Sequence, residues 1–238
     1  VKFINKVTVT GADDSVTPKE LMDISENFPF VEWGLLLSKS SMGNFRFPSA
    51  EWLSNFTKEV WYSEIQLSGH VCGSWVKQIL KGNWINRELD NIHPHLDCIF
   101  DRFQINTHGR NHYLDAEKVV DMFNDCLVNQ TVIFQYDNAN NDIFGLDILG
   151  KSALFDLSGG AGVLPEHWPT PLEEAPCGYA GGLSPENVQG QIEKISKIVA
   201  PDDVIWIDAE THLRSNGDQQ FDLDKVVAFL EATKPYII

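Results

Sequence analysis

Short β-rich runs recur eight times along this chain of 238 residues, and most of the intervals between them contain a helix start signal. The runs are Lys6–Gly11, Val31–Leu37, Glu64–Gly69, Ile99–Asn106, Thr131–Tyr136, Ala153–Leu157, Gly178–Ala180 and Val204–Asp208. Thr17-Pro18-Lys19-Glu20 opens the first helix, with Pro18 at the first helical position and Glu20 as capping partner of Thr17. Ser49-Ala50-Glu51-Trp52 opens the second and Asp115-Ala116-Glu117-Lys118 a later one. Ser184-Pro185-Glu186-Asn187 opens the seventh and Asp222-Leu223-Asp224-Lys225 the last. Strict strand–helix alternation predicts a parallel sheet covered by helices, since parallel neighbours need a crossover. Eight units of this size favour an α/β fold closed into a (β/α)8 TIM barrel, one domain spanning residues 1–238. An open doubly wound sheet is the alternative. Thr10-Gly11-Ala12-Asp13-Asp14 after the first run lacks the Gly-x-Gly-x-x-Gly turn usual there.

Alternate residues of a strand face the same side. Gln66, Ser68 and His70 share a face, as do Arg102, Gln104, Asn106 and, beyond them, His108. Gln135 and Asp137, Asp156 and Ser158, and Asp208 and Glu210 continue the pattern. Turned inward, these faces make the upper barrel polar, and buried polar groups need partners or a ligand. The strand C-termini form the active-site face of a barrel, so a small polar molecule is expected there.

The formal charge of −16 argues against nucleic acid or an anionic membrane as a partner. Its plainer meaning is solubility. No apolar run approaches the ~18 residues needed to cross a bilayer. The start, Val1 to Lys6, lacks the apolar stretch of a signal peptide, so a cytoplasmic protein is expected. Cys72, Cys98, Cys126 and Cys177 are scattered and read as free thiols rather than a metal site. His93-Pro94-His95 reads as a surface loop. No metal or cofactor is expected, and the chain is read as a monomer or homodimer.

Two glycine-rich strand ends carry the strongest motif. Asp156-Leu157-Ser158-Gly159-Gly160-Ala161-Gly162 follows one apolar run; Ala180-Gly181-Gly182-Leu183-Ser184-Pro185-Glu186-Asn187-Val188 follows the next. Glycine lets backbone N–H groups close on a phosphate without a Cβ in the way. This order resembles the sixth and seventh strand ends of phosphoribosylanthranilate isomerase, a (β/α)8 barrel enzyme. The resemblance implies a phosphorylated aminated sugar as substrate and an Amadori-type isomerisation. It implies Asp156 as the general acid, and Gly181 and Gly182, with Gly159 and Gly160, as the phosphate cradle. Without the resemblance, Asp156 is a turn-capping aspartate and the glycines serve backbone geometry. Trp168 matches an aromatic of the family's sixth unit and is expected to roof the site.

The departures matter as much. Thr10 stands where the family has its cysteine base, and a threonine hydroxyl is too weak a base for a carbon-bound proton. The candidate substitutes are Asp13, Asp14, His70, Cys72 and Glu210. Histidine titrates near neutrality and suits the task; a loop histidine bonded to backbone is the alternative for His70. Asp208-Ala209-Glu210-Thr211-His212-Leu213-Arg214 replaces the family's eighth strand end. There Arg214 either holds the phosphate or pairs with Glu210. Arg46, Asn106 and Asp208 complete the candidate binding set. Arg46 ends a loose echo of the family's Ser-Pro-Arg, and residues 104–109 loosely echo its Gln-Leu-His-Gly, with the histidine displaced to His108. A lyase or hydrolase using Asp156 with Asp208 or Glu210 is one alternative. A binding protein that kept the cradle and lost the base is another.

Overall fold

The computed structural model describes residues 2–108, 113–127, 130–137 and 140–238; Gly109, the last residue of the loose 104–109 motif, lies outside them. Eight parallel strands close into a barrel in sequence order: β1 (Ile4–Thr10), β2 (Val31–Leu37), β3 (Gln66–Val71), β4 (Arg102–Ile105), β5 (Thr131–Tyr136), β6 (Lys151–Phe155), β7 (Cys177–Ala180) and β8 (Ile205–Ala209). β1 and β8 close the ring, with Val7 opposite Ile207 and Thr8 opposite Asp208.

The capping signals act as the sequence predicts. Helix α1 (Pro18–Asn27) starts at a reciprocal box in which Thr17 accepts from the Glu20 amide and Glu20 accepts from Thr17. Ser49 caps α2 (Ala50–Val60). Two short helices, α3 (Ser74–Ile79) and α4 (Asn86–Asp90), cover the β3–β4 crossover. Asp115 caps α5 (Ala116–Cys126).

Strict alternation fails twice. β5 is followed by a short 3-10 turn, Asn141–Gly145, and residues 157–176 between β6 and β7 contain no helix. That segment holds three glycines and four prolines, which break helical hydrogen bonding. The helix expected from Ser184 starts later, as α6 (Val188–Ile195), because Asn187 Oδ1 accepts from the Ser184 amide and ties residues 184–187 into a turn. α7 (Leu223–Thr233), capped by Asp222, follows a small hairpin of β9 (Arg214–Ser215) and β10 (Gln220–Phe221).

The main apolar core lies between strands and helices and includes Trp33, Phe56, Phe103, Phe134, Tyr179 and Phe229. Each such side chain contributes ~1.5–3 kcal/mol of burial. Inside the barrel the filling differs. A small apolar plug of Ile133, Leu154, Ala180 and Trp206 stands apart from the main core. Toward the strand N-termini, Glu32 is fully buried and accepts from Thr8 Oγ1 at 2.9 Å, Lys6 Nζ at 3.2 Å and Arg102 Nε at 2.8 Å, with Arg102 Nη2 bonded as well. Burial would raise this carboxyl, but Arg102, Lys6 and Thr8 hold it down at about 2. The Arg102 guanidinium sits 4.6 Å from the Trp206 ring centroid. This closed network leaves the polar groups of the opposite end for a site.

Candidate active site

A cavity of about 320 Å³ opens at the C-terminal ends of the strands. Its lining includes the turns after β6 and β7 (Gly159, Gly160, Gly162, Gly181 and Gly182), the carboxyls of Asp156, Asp208 and Glu210, and Gln104, Asn106, Gln135, His108 and His212. The inward faces inferred from strand parity thus converge on one space.

The glycines are needed for different reasons. Gly181 and Gly182 adopt φ of +112° and +68°. A Cβ on Gly182 would stand 2.5 Å from the Leu164 amide nitrogen, so only glycine lets the β6–β7 segment pack here. Among the described residues, the amides of Gly181, Gly182 and Leu183 donate to no protein acceptor, while the Gly182 carbonyl accepts from Asn187 Nδ2 at 2.8 Å. Three consecutive amides without protein partners at the end of a barrel strand form a nest of the kind that takes an anion.

Three carboxyls line the same cavity. Asp156, buried at the end of β6, accepts from the Ser158 hydroxyl at 2.8 Å, the Ser158 amide at 3.2 Å and Gln135 Nε2 at 3.3 Å. Asp208 accepts from Thr10 Oγ1 at 2.8 Å. Burial pushes the Asp208 carboxyl well above the usual range, and the nearby charges of Glu210, Asp156 and Glu32 push the same way against the Thr10 bond. Glu210 at the rim is also raised, by burial and by Asp156 and Asp218, although it pairs with Arg46 Nη1 at 2.7 Å. Both carboxyls are therefore shifted toward the protonated form, Asp208 the more strongly.

Several residues singled out in the sequence are engaged elsewhere. Arg214 is buried and donates to Asp13 Oδ2 at 2.6 Å, the Asp218 carbonyl at 3.1 Å and the Gly11 carbonyl at 2.5 Å. It pairs with neither Glu210 nor the cavity. Asp13 accepts from Ser15 and the Arg46 amide besides Arg214; these bonds outweigh burial and hold its carboxyl below the ordinary range. Asp14 accepts from the Ser49 amide at 2.7 Å. Arg46 spans Glu210 and Asp218 and lies behind the cavity wall.

His70 lies on β3, which runs on through Val71, rather than in a loop. It is buried beneath the cavity floor beside Gly34, and burial depresses it to about 3, so its ring is neutral. Cys72 and Asn106 do line the cavity, and Asn106 Nδ2 lies 3.0 Å from Cys72 Sγ. Trp168 roofs nothing: it is buried against Tyr179 and donates to Gln191 Oε1 at 3.0 Å. The residue that the sequence undervalued is His108, whose Nδ1 lies 2.7 Å from Asp137 Oδ2. Strand parity on β4 and β5 had already placed both side chains on inward faces.

Fold and site together define a (β/α)8 barrel with a polar, carboxyl-rich cleft at the strand C-termini. No protein-family model matches the chain, and no curated protein does. Solved structures do. N-(5'-phosphoribosyl)anthranilate isomerase from Pyrococcus furiosus superposes with a TM-score of 0.57 at 12% identity, over 97% of this chain and 98% of that one. Phospho-2-dehydro-3-deoxyheptonate aldolase from Thermotoga maritima gives 0.56 at 11%, over 98% and 68%. 3-Keto-L-gulonate-6-phosphate decarboxylase from Vibrio cholerae gives 0.52 at 11%, over 99% and 100%. Identities this low establish the barrel and leave the reaction to the site. Among the described residues, no helix is long and apolar enough to cross a membrane.

Proposed function

We propose that this barrel is an enzyme that isomerises a small phosphorylated sugar by acid–base catalysis, with an aminated pentose phosphate as the preferred substrate. One observation carries the reading: the three-amide nest after β7 and the carboxyls of Asp156 and Asp208 face one cavity at the strand C-termini. The nest suits a phosphate, and Gly159 and Gly160 border it. Burial, with the charges of Glu210, Asp156 and Glu32, shifts Asp208 toward the protonated form that a general acid needs. Asp156, with Oδ1 3.7 Å from where a Gly181 Cβ would be, stands next to the nest and serves as the acid facing the sugar ring. Glu210, Asn106 and Gln104 supply hydrogen bonds to sugar hydroxyls.

Among the described residues no lysine lines the cavity, which disfavours a lyase working through a lysine Schiff base. Lys6 points into the barrel but is paired with Glu32.

The test is turnover of N-(5'-phosphoribosyl)anthranilate by the purified protein beside Asp156→Asn, with ribose 5-phosphate binding followed by calorimetry. Conversion lost in the variant, with binding retained, supports the reading. Binding without turnover by the wild type points instead to a phosphorylated-ligand binding protein. Hydrolysis of a glycosidic or phosphoester analogue, sensitive to Glu210→Gln, points to a hydrolase.

A further inference from the structure

The carboxyl set accounts for proton donation but leaves the base unassigned, since Thr10 is committed to Asp208, His70 is buried below the floor and Asp13 is committed to Arg214. Three further proton-handling groups line the cavity: Cys72, 3.0 Å from Asn106 Nδ2; His212, whose Nε2 lies 3.0 Å from the Gly162 carbonyl oxygen; and His108, the one seated against a carboxylate. His108 follows β4, lines the cavity and is about half exposed, with 53% of its side-chain area accessible. Its Nδ1 lies 2.7 Å from Oδ2 of Asp137, which is buried at the end of β5 and whose amide donates to Asn140 Oδ1 at 2.9 Å.

An ionised carboxylate only accepts, so the proton of the neutral ring belongs on Nδ1 and Nε2 is the basic atom. The ring has a built seat. Gly159 has φ of +60°, and a Cβ there would stand 2.9 Å from His108 Cδ2 and 3.0 Å from Nε2. Gly159, read in the sequence as part of a phosphate cradle, thus makes room for an imidazole. Gln135 joins this ring to the acid: its Oε1 accepts from the His108 amide at 3.3 Å and its Nε2 donates to Asp156 at 3.3 Å. One side chain therefore sets the register of both.

We infer that His108, positioned by Asp137, is the general base that takes the carbon-bound proton in the proposed isomerisation; this assignment rests on that reading of the site. The steps balance without a co-reactant. A carboxylic acid gives its proton to the ring oxygen, the C1–O bond breaks, and the amino nitrogen's lone pair forms the C1=N iminium. His108 Nε2 takes the C2 proton, and that C–H electron pair becomes the C1=C2 bond of an enaminol, returning the lone pair to nitrogen. The imidazolium then gives its proton to C1 while the enol O–H proton returns to the carboxylate, leaving a 1-amino-2-ketose and the starting protonation states.

The experiment compares the wild type with His108→Ala, His108→Gln and Asp137→Asn on N-(5'-phosphoribosyl)anthranilate, with ribose 5-phosphate affinity as the control for folding and binding. The expected result is a kcat loss of at least ~100-fold in both His108 variants with KM within a few-fold, and partial rescue of His108→Ala by added imidazole, which a structural role would not give. Asp137→Asn is expected to slow acylation of His108 by diethyl pyrocarbonate about tenfold, mapped by peptide mass spectrometry, and ribose 5-phosphate is expected to block that acylation in the wild type. An active wild type whose His108 variants keep kcat within threefold overturns the assignment and leaves the isomerase standing. A wild type without turnover removes the isomerase reading, and the base role with it. Should the His108 variants fail to fold, acylation of the wild type decides: no protection by ribose 5-phosphate overturns the placement of this ring in the ligand site.

Discussion

Thr10 Oγ1 donates a 2.8 Å hydrogen bond to Asp208 Oδ1, joining residues 198 positions apart where β1 and β8 close the barrel. Thr10, which stands where the resembled isomerases would carry a base, is thus bonded to a buried carboxyl. That acid is costly to the fold. The native pKa of Asp208 lies above its unfolded value near 3.8, so above that pH the folded chain binds more protons than the unfolded one. Its contribution to stability therefore falls as pH rises from about 4 toward the native pKa, and stays low beyond it.

Asp208→Asn keeps an oxygen for Thr10 and removes the buried titrating carboxyl. Its Tm at pH 7.5 is expected to rise by about 2–4 °C, the equivalent of ~1 kcal/mol in a chain of this size, with little gain at pH 4. Turnover is expected to fall at least ~100-fold. Thermal melts at the two pH values beside a kinetic assay check both halves, and a stabilised but fully active variant would show that Asp208 has no catalytic part.

At the opposite end of the barrel the sign reverses. Glu32 is held at about 2 against an ordinary 4.5, so its stabilising contribution is complete above pH 4.5 and is lost as pH falls toward 2. Arg102→Met leaves that carboxylate buried with Lys6 and Thr8 alone, and a loss of about 3–5 kcal/mol is expected in urea titrations at pH 7. The double variant Glu32→Met/Arg102→Met is expected to recover most of it.

His70 adds a second acid-labile element. Its native pKa of about 3 lies below the ordinary 6.5, so the unfolded chain binds the extra proton between those values and stability drops as pH falls through that window. His70→Leu is expected to flatten the pH 6.5–3 slope of unfolding free energy. An unchanged slope would mean that the imidazole is charged in the native barrel.

Two glycines separate folding from ligand binding. A Cβ on Gly178 would stand 2.1 Å from Trp206 Cε2 inside the barrel, so Gly178→Ala is expected to cost ~1–3 kcal/mol or more in denaturant midpoint while leaving the β7 turn in place. Gly182→Ala strains a φ of +68° and pushes on the Leu164 amide, and is expected to weaken ribose 5-phosphate binding about tenfold by calorimetry.

Much of this site was legible in the chain. Parity along β4, β5, β6 and β8 named Asn106, His108, Asp137, Asp156, Asp208 and Glu210 as inward residues, and all of them lie in the cavity wall or, for Asp137, directly behind it. Parity held even where a strand end was misplaced. β3 runs past Gly69 through Val71, which takes His70 from an expected loop into the barrel interior. Parity was silent on partners: Arg214 stood open to a phosphate or to Glu210, yet Asp13, 201 positions away, and Asp218 hold it.

The sequence by itself determined the strands, the Thr17, Ser49, Asp115 and Asp222 caps, and the glycine turns after β6 and β7, because each depends on residues within a few positions of one another. Only the tertiary structure decided which polar groups meet. Closing eight strands in one register sets Thr10 on Asp208, Arg214 on Asp13 and His108 on Asp137, and that packing then shifts the proton affinities of Asp208 and Asp13, a quantity that belongs to the packed environment and not to any one residue.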